Sequence, residues 1–207
     1  MSIIKNTHAK MIAENFEKII EDKGYVFFDG GLSWNLNLIG IRNSNKKSDK
    51  FDDNLLVIYR NDNKDWEVFS AAATTDPGKI PLLRPISKSG TAILVPDQYR
   101  GSHKIDLHAG KYTALRQSGA PVKVYRDDNR DAVLDRDPST IQEGYFGINI
   151  HRANRRGSTA MVRSYSAGCQ VLQNARDFHK LMEIAERSAS FFGNSFTYTL
   201  LTEEDVL

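Results

Sequence analysis

From Tyr25 to Tyr125 the apolar residues come in short runs, each cut off by turn-forming residues. That rhythm constrains the fold more than any other feature, because runs of about four to eight residues suit strands and are too short for helices. Residues 34–41 alternate, then give way at 42–54 to a polar stretch of Asn, Ser, Lys and Asp, read as a solvated connection. Residues 55–59 and 66–70 are two strands joined by the polar turn 61–65, the spacing of a hairpin. Thr74, Thr75, Asp76, Pro77 and Gly78 end the second strand in a turn. Further short strands are predicted at 92–95, 112–115, 122–125 and 146–150, the last delivering His151 at its end.

Two helical patterns frame this region. Met11, Ile12, Phe16, Ile19 and Ile20 recur at helical spacing within 8–23, and Gly24 is a natural stop. A second helix follows Asn174, a good N-cap, with Phe178, Leu181, Met182, Ala185 and Ala189 as its buried stripe. Residues 196–201 alternate again and read as a closing strand. The expected class is mainly β (α+β). The expected organisation is an N-terminal helix and β extension, 1–53, packed on a main domain, 54–207.

At 207 residues the chain is long enough to bury a core. A formal charge of +2 gives no warrant for nucleic-acid binding, which needs a basic face. No apolar run approaches the roughly 20 residues of a membrane span. Residues 1–22 mix Lys, Glu, Asp and Asn where a signal peptide would have an apolar stretch, so synthesis in the cytoplasm is expected. The single cysteine, Cys169, cannot form an intramolecular disulfide, which leaves a buried structural thiol or a reactive one.

The surroundings of Cys169 favour the reactive thiol. It closes the run Ser166, Ala167, Gly168, Cys169, and His151 stands upstream at a strand end. An imidazole can generate a thiolate at neutral pH. A glycine just before the nucleophile lets the backbone turn sharply, and amides around it can bind an oxyanion. This frame, a histidine, fourteen residues, then Ser-x-Gly-Cys, resembles the catalytic motif of the L,D-transpeptidases, the YkuD-like family. The lead-in from Gly147 to His151 looks like that family's Gly-Ile-His strand, and residues 55–78 look like its opening hairpin and following turn. The resemblance covers residues 54–201 and is sharp at 146–171. Two positions depart from the pattern. Ala167 stands where the family has His, and Gln170 and Val171 stand where an Arg or Asn is usual.

The resemblance implies a YkuD-like β-sandwich or barrel-type catalytic domain with a helix after the catalytic Cys. It implies a peptidoglycan peptide substrate, with Cys169 attacking a stem-peptide carbonyl and His151 moving the proton. A backbone carbonyl near Ser166 would orient the imidazole, and the amides of Gly168 and Cys169 would hold the oxyanion. Arg152, Arg163, Ala167, Gln170 and His108 are the candidate substrate-binding residues. Attack on the thioester by an amine would make the protein a transferase, and attack by water a hydrolase. The alternative is a catalytically idle wall-binding protein or phage virion component. Without an export signal, delivery to the wall would need a phage particle, a holin or a secretion machine. No cofactor is required by this chemistry.

The sequence offers two metal readings. Counting from Asp127, oxygen ligands fall at the first, third, fifth and ninth positions of a calcium loop: Asp127, Asn129, Asp131 and Asp135. Ala132 replaces the usual Gly and Pro138 the usual Glu, so a solvated charged loop is favoured over structural calcium. A zinc set of His103, His108 and His151 fits no common spacing, and strand alternation would point His103 and His108 to opposite faces. His179 is expected on the surface of the second helix.

Overall fold

The computed structural model describes residues 2–207. In chain order the elements are β1 (Ser2–Lys5), α1 (Asn6–Asp22), β2 (Asn37–Arg42), β3 (Asp53–Arg60), β4 (Trp66–Thr74) and α2 (Lys79–Leu83). There follow β5 (Thr91–Leu94), β6 (Gln98–His108), β7 (Tyr112–Gln117), β8 (Val122–Asp127), β9 (Gln142–Gly144), β10 (Ile150–Arg152), β11 (Gln170–Leu172), α3 (Ala175–Phe192) and β12 (Phe196–Thr202). Single 3-10 turns lie at Pro138–Thr140 and Glu203–Asp205. The chain is mainly β, as the short runs predict.

Eight strands close on themselves in the order β4-β11-β10-β7-β6-β12-β2-β3, and β3 returns to β4. Closure removes the sheet edges that would otherwise expose unpaired backbone groups. β1 adds to β4 outside the closed set, and β5, β8 and β9 form a separate three-stranded sheet. The boundary expected at 53/54 falls inside this barrel. β2 pairs with β3 along Asn37–Ile41 and with β12 along Leu38–Arg42, so part of the supposed extension is a barrel stave.

β3 shows why a barrel strand reads as a continuous apolar run. Leu55, Val57 and Tyr59 belong to the main core cluster, while Leu56 and Ile58 point the other way, into a second cluster under α1. There they meet Ala9, Ala13, Phe16 and Ile20, the buried stripe of α1. α3 supplies Phe178, Leu181, Met182 and Ala185 to the main core. Its N-cap is Asn174, whose side chain accepts the Arg176 N–H at 2.8 Å.

Polar groups also cross the barrel. Gly40 lies where a Cβ would overlap the Tyr198 hydroxyl, so a glycine there lets that side chain span the interior and donate to Gln170 Oε1 at 2.8 Å. Arg42, 1% exposed, is held by Asp76, by Thr75 and by the Leu94 carbonyl, which satisfies a charge that would otherwise be prohibitive to bury.

Candidate active site

The site is built on β10 and β11, two three-residue strands that pair in parallel with Ile150 opposite Gln170 and His151 opposite Val171. The Gln170 N–H donates to the Asn149 carbonyl at 2.9 Å and carries the pairing one step further back. Side chains alternate across a strand. Ile150 and Leu172 face the main core, and Gln170 faces it too through Tyr198. His151 therefore takes the opposite face, and the same alternation carried one residue back puts Asn149 and Cys169, just before the two strands, on that face with it. The segment 146–149, predicted as strand, is not one. Gly147 takes φ +69°, and the Gln117 side chain accepts the N–H groups of Phe146, Gly147 and Ile148. The strand begins only at Ile150, and His151 lies in its middle.

The loop before the nucleophile is shaped by two residues. Gly168 takes φ +120°, where a Cβ would overlap the Ala92 carbonyl and come within 3.1 Å of Ile148 Cδ1. Ser166, fully buried, donates its hydroxyl to the Cys169 carbonyl at 2.7 Å and accepts the Gly168 N–H at 3.2 Å. The Gly168 amide, expected to hold an oxyanion, is thus already engaged. A backbone carbonyl near Ser166 was expected to orient the imidazole; that of Ser166 itself accepts the Gly78 N–H at 2.9 Å. The imidazole is oriented elsewhere: His151 Nδ1 stands 2.9 Å from the carbonyl of Arg152. A carbonyl can only accept, so Nδ1 carries the proton and Nε2 keeps its basic lone pair.

Cys169 is partly exposed in a cavity of about 450 Å³, with His108, Arg126, Phe146, Asn149 and Ala167 among its other walls. Its thiol donates to the Gly147 carbonyl at 3.2 Å. Burial pushes the thiol up to about 11, with the Asn149 backbone N–H acting the other way. His151 is 5% exposed and is pushed down to about 4, chiefly by burial; the Arg152 carbonyl acts the other way, and the charges of His108 and Arg152 add to the lowering. His108 covers it, the two rings stacked 4.3 Å apart at 23°. His108 Nδ1 lies 3.2 Å from the Asn149 side-chain amide, and burial together with Arg116 lowers its pKa as well. Burial thus favours the neutral form of the thiol and of both imidazoles.

Of the five residues expected to bind substrate, Ala167 and His108 line the cavity. Arg152 instead lies over the Tyr112 ring at 4.0 Å and meets His179 at 3.3 Å. Arg163 is exposed, with its backbone held by the Asp49 side chain and its guanidinium near Met161. Gln170 is fully buried, bonded to Tyr198, Gly168 and Thr75, and so braces the barrel interior instead of contacting substrate. His103 is also fully buried, with its ring nitrogens 2.8 Å from Ser102 Oγ and from the Ile148 carbonyl. Its interior place and the cavity place of His108 follow the alternation expected of β6.

Arg126 and Asn149 were missed in the sequence. Arg126 stacks over Phe146 at 4.6 Å and bonds Gln142 and the Gly90 carbonyl, which puts a cation on the cavity wall. Nothing in its local pattern marks it. Asn149 could have been found, since it stands two residues before His151 and shares its face. Among the described residues no group of three or more His, Cys, Asp or Glu is placed to hold a metal ion. Comparison of the chain with protein-family models, with curated proteins and with solved structures finds no match.

Proposed function

We propose that the protein is a cysteine acyl-transfer enzyme acting on peptidoglycan stem peptides, in the manner of the L,D-transpeptidases it resembles. One observation carries this reading. The only thiol of the chain opens onto a cavity from the same sheet face as a buried histidine whose Nδ1 is tied to a backbone carbonyl. A structural cysteine needs neither the cavity nor the oriented base.

In this reaction His151 Nε2 takes the Cys169 proton as the sulfur attacks the amide carbonyl. The resulting imidazolium then protonates the leaving amine, and a thioester remains. The carbonyl of Arg152 fills the role of a triad's third member by holding the tautomer. With the Gly168 N–H engaged by Ser166, the Cys169 amide is the oxyanion donor at the nucleophile. An incoming amine, or water, releases the acyl group and returns the proton. Arg126 on the wall suits a substrate carboxylate.

The reading is tested by incubating purified muropeptides, and casein in parallel, with the protein and its Cys169→Ala variant. Muropeptide turnover lost in the variant supports it. Turnover of casein alone would make the protein a general peptidase. The raised thiol pKa and the bond to Gly147 favour a second reading, an idle wall-binding protein on the same scaffold. Wall binding unchanged in Cys169→Ala, with no turnover by either form, would select it.

A further inference from the structure

His108 and Asn149 form a pair on the cavity wall that the proton transfer from Cys169 leaves unused. The Asn149 amide has one possible orientation: its Oδ1 accepts the Gln117 backbone N–H at 2.9 Å, and a backbone N–H can only donate. Its Nδ2 therefore faces His108, 3.2 Å from the ring Nδ1. An amide nitrogen can only donate as well, so His108 Nδ1 is the acceptor and the ring proton sits on Nε2. A second proton on the ring would set N–H against N–H at this contact, and burial and the Arg116 charge also disfavour the cation. His151 is held the other way round, with its proton on Nδ1 and its lone pair on Nε2. The two stacked rings thus carry opposite tautomers, one a base and the other a donor. His108 Nε2 has no hydrogen-bond partner among the described residues and is not sealed from solvent. Its ring lines the cavity onto which Cys169 opens. On the same wall the Thr91 hydroxyl is already given to the Pro81 carbonyl at 2.7 Å.

We propose, resting on the acyl-transfer reading of this site, that Asn149 fixes His108 as an uncharged Nε2–H donor on the cavity wall, where it binds a carbonyl oxygen of the acyl donor. His108 keeps its proton throughout and serves specificity, and Asn149 is a positioning residue that acts through it. The wall then offers two unlike donors, a cation at Arg126 and a neutral N–H at His108. An acyl donor that carries both a free carboxylate and an amide carbonyl satisfies the pair, and one lacking the carbonyl leaves the His108 donor unmatched.

The tautomer is read by proton–nitrogen correlation NMR of the full chain carrying isotope-labelled histidine at neutral pH, with the His108 signals identified by their loss in His108→Phe. The wild type is expected to carry the proton on Nε2. Asn149→Asp still accepts the Gln117 N–H but turns an acceptor toward His108, so the proton should move to Nδ1. Binding is measured by titrating purified muropeptides into Cys169→Ala, which has no nucleophile to turn them over. Adding Asn149→Asp should weaken binding by about tenfold or more. The new carboxylate would also repel an acidic ligand, so His108→Phe, which keeps a ring against His151 and has no N–H, should show the same loss. His108→Gln retains an uncharged N–H and should bind within about threefold of its parent. Melting curves check each variant, and the two His108 variants decide the matter if Asn149→Asp does not fold. A wild-type His108 with its proton on Nδ1, or muropeptide affinity no better in Cys169→Ala than after adding His108→Phe, would overturn the proposal. The expected losses of affinity together with no turnover by the wild type would uphold it and sink acyl transfer alone.

Discussion

His151 and Cys169 divide the chemistry unequally, and each makes its own prediction. The Cys169 thiol, raised to about 11, should alkylate slowly at neutral pH and progressively faster toward that value. Iodoacetamide labelling followed by mass spectrometry measures this directly, and a rate already at its plateau at pH 7 would contradict it. Replacing His151 by Ala should slow acylation of Cys169 by about 10²–10⁴-fold. His108→Ala should cost less, because the stacked ring positions His151 without holding the Arg152 carbonyl. The reverse order in stopped-flow rates would make His108 the base. Gly168→Ala is expected to destabilise by about 2 kcal/mol or more, since it combines φ +120° with an overlap on the Ala92 carbonyl, and chemical denaturation would read this.

At the scale of elements, the strands were legible wherever one face was buried against something continuous. Residues 55–59 and 66–70 declared themselves through Leu55, Val57 and Phe69, which need a core on one side, and through Ile58 and Val68, which need α1 on the other. β6 escaped because its outer half, from Lys104 to His108, is partly exposed and carries charge, so no apolar period marks it. The segment 146–149 was misread for the opposite reason. Its apolar residues alternate, but Gln117 captures its backbone N–H groups and no neighbouring strand does. The roles of Arg152, Arg163 and Gln170 could not be read from spacing either. A guanidinium reaches whichever aromatic or carboxylate the fold brings near, and Tyr112 and Tyr198 are distant in sequence. The α3 cap was legible and has a price in stability: Asn174→Ala should cost about 1 kcal/mol, seen as a lower denaturation midpoint at unchanged slope.

For the whole molecule, closure of the barrel makes residues 37–42 indispensable. A fragment beginning at residue 54 exposes the facing edges of β3 and β12 and is expected not to fold, with disordered amide signals by NMR. Stability against pH is a balance of opposed buried groups. His103 and His151, lowered to about 4, contribute stability that is present above pH 6.5 and is lost as pH falls through 4. Asp53 and Asp127, raised to about 6, contribute stability that is full below 3.8 and lost as pH rises through 6. Asp127→Asn should therefore stabilise the protein by about 1–2 kcal/mol at pH 7, with the gain vanishing near pH 4. The reading as an acyl-transfer enzyme meets its most direct test in the intact mass of the protein after incubation with a carbapenem, a strained acyl donor. One covalent adduct is expected, localised to Cys169, absent in Cys169→Ala and formed far more slowly in His151→Ala. An unmodified mass after prolonged incubation, or an adduct that persists in Cys169→Ala, would contradict it.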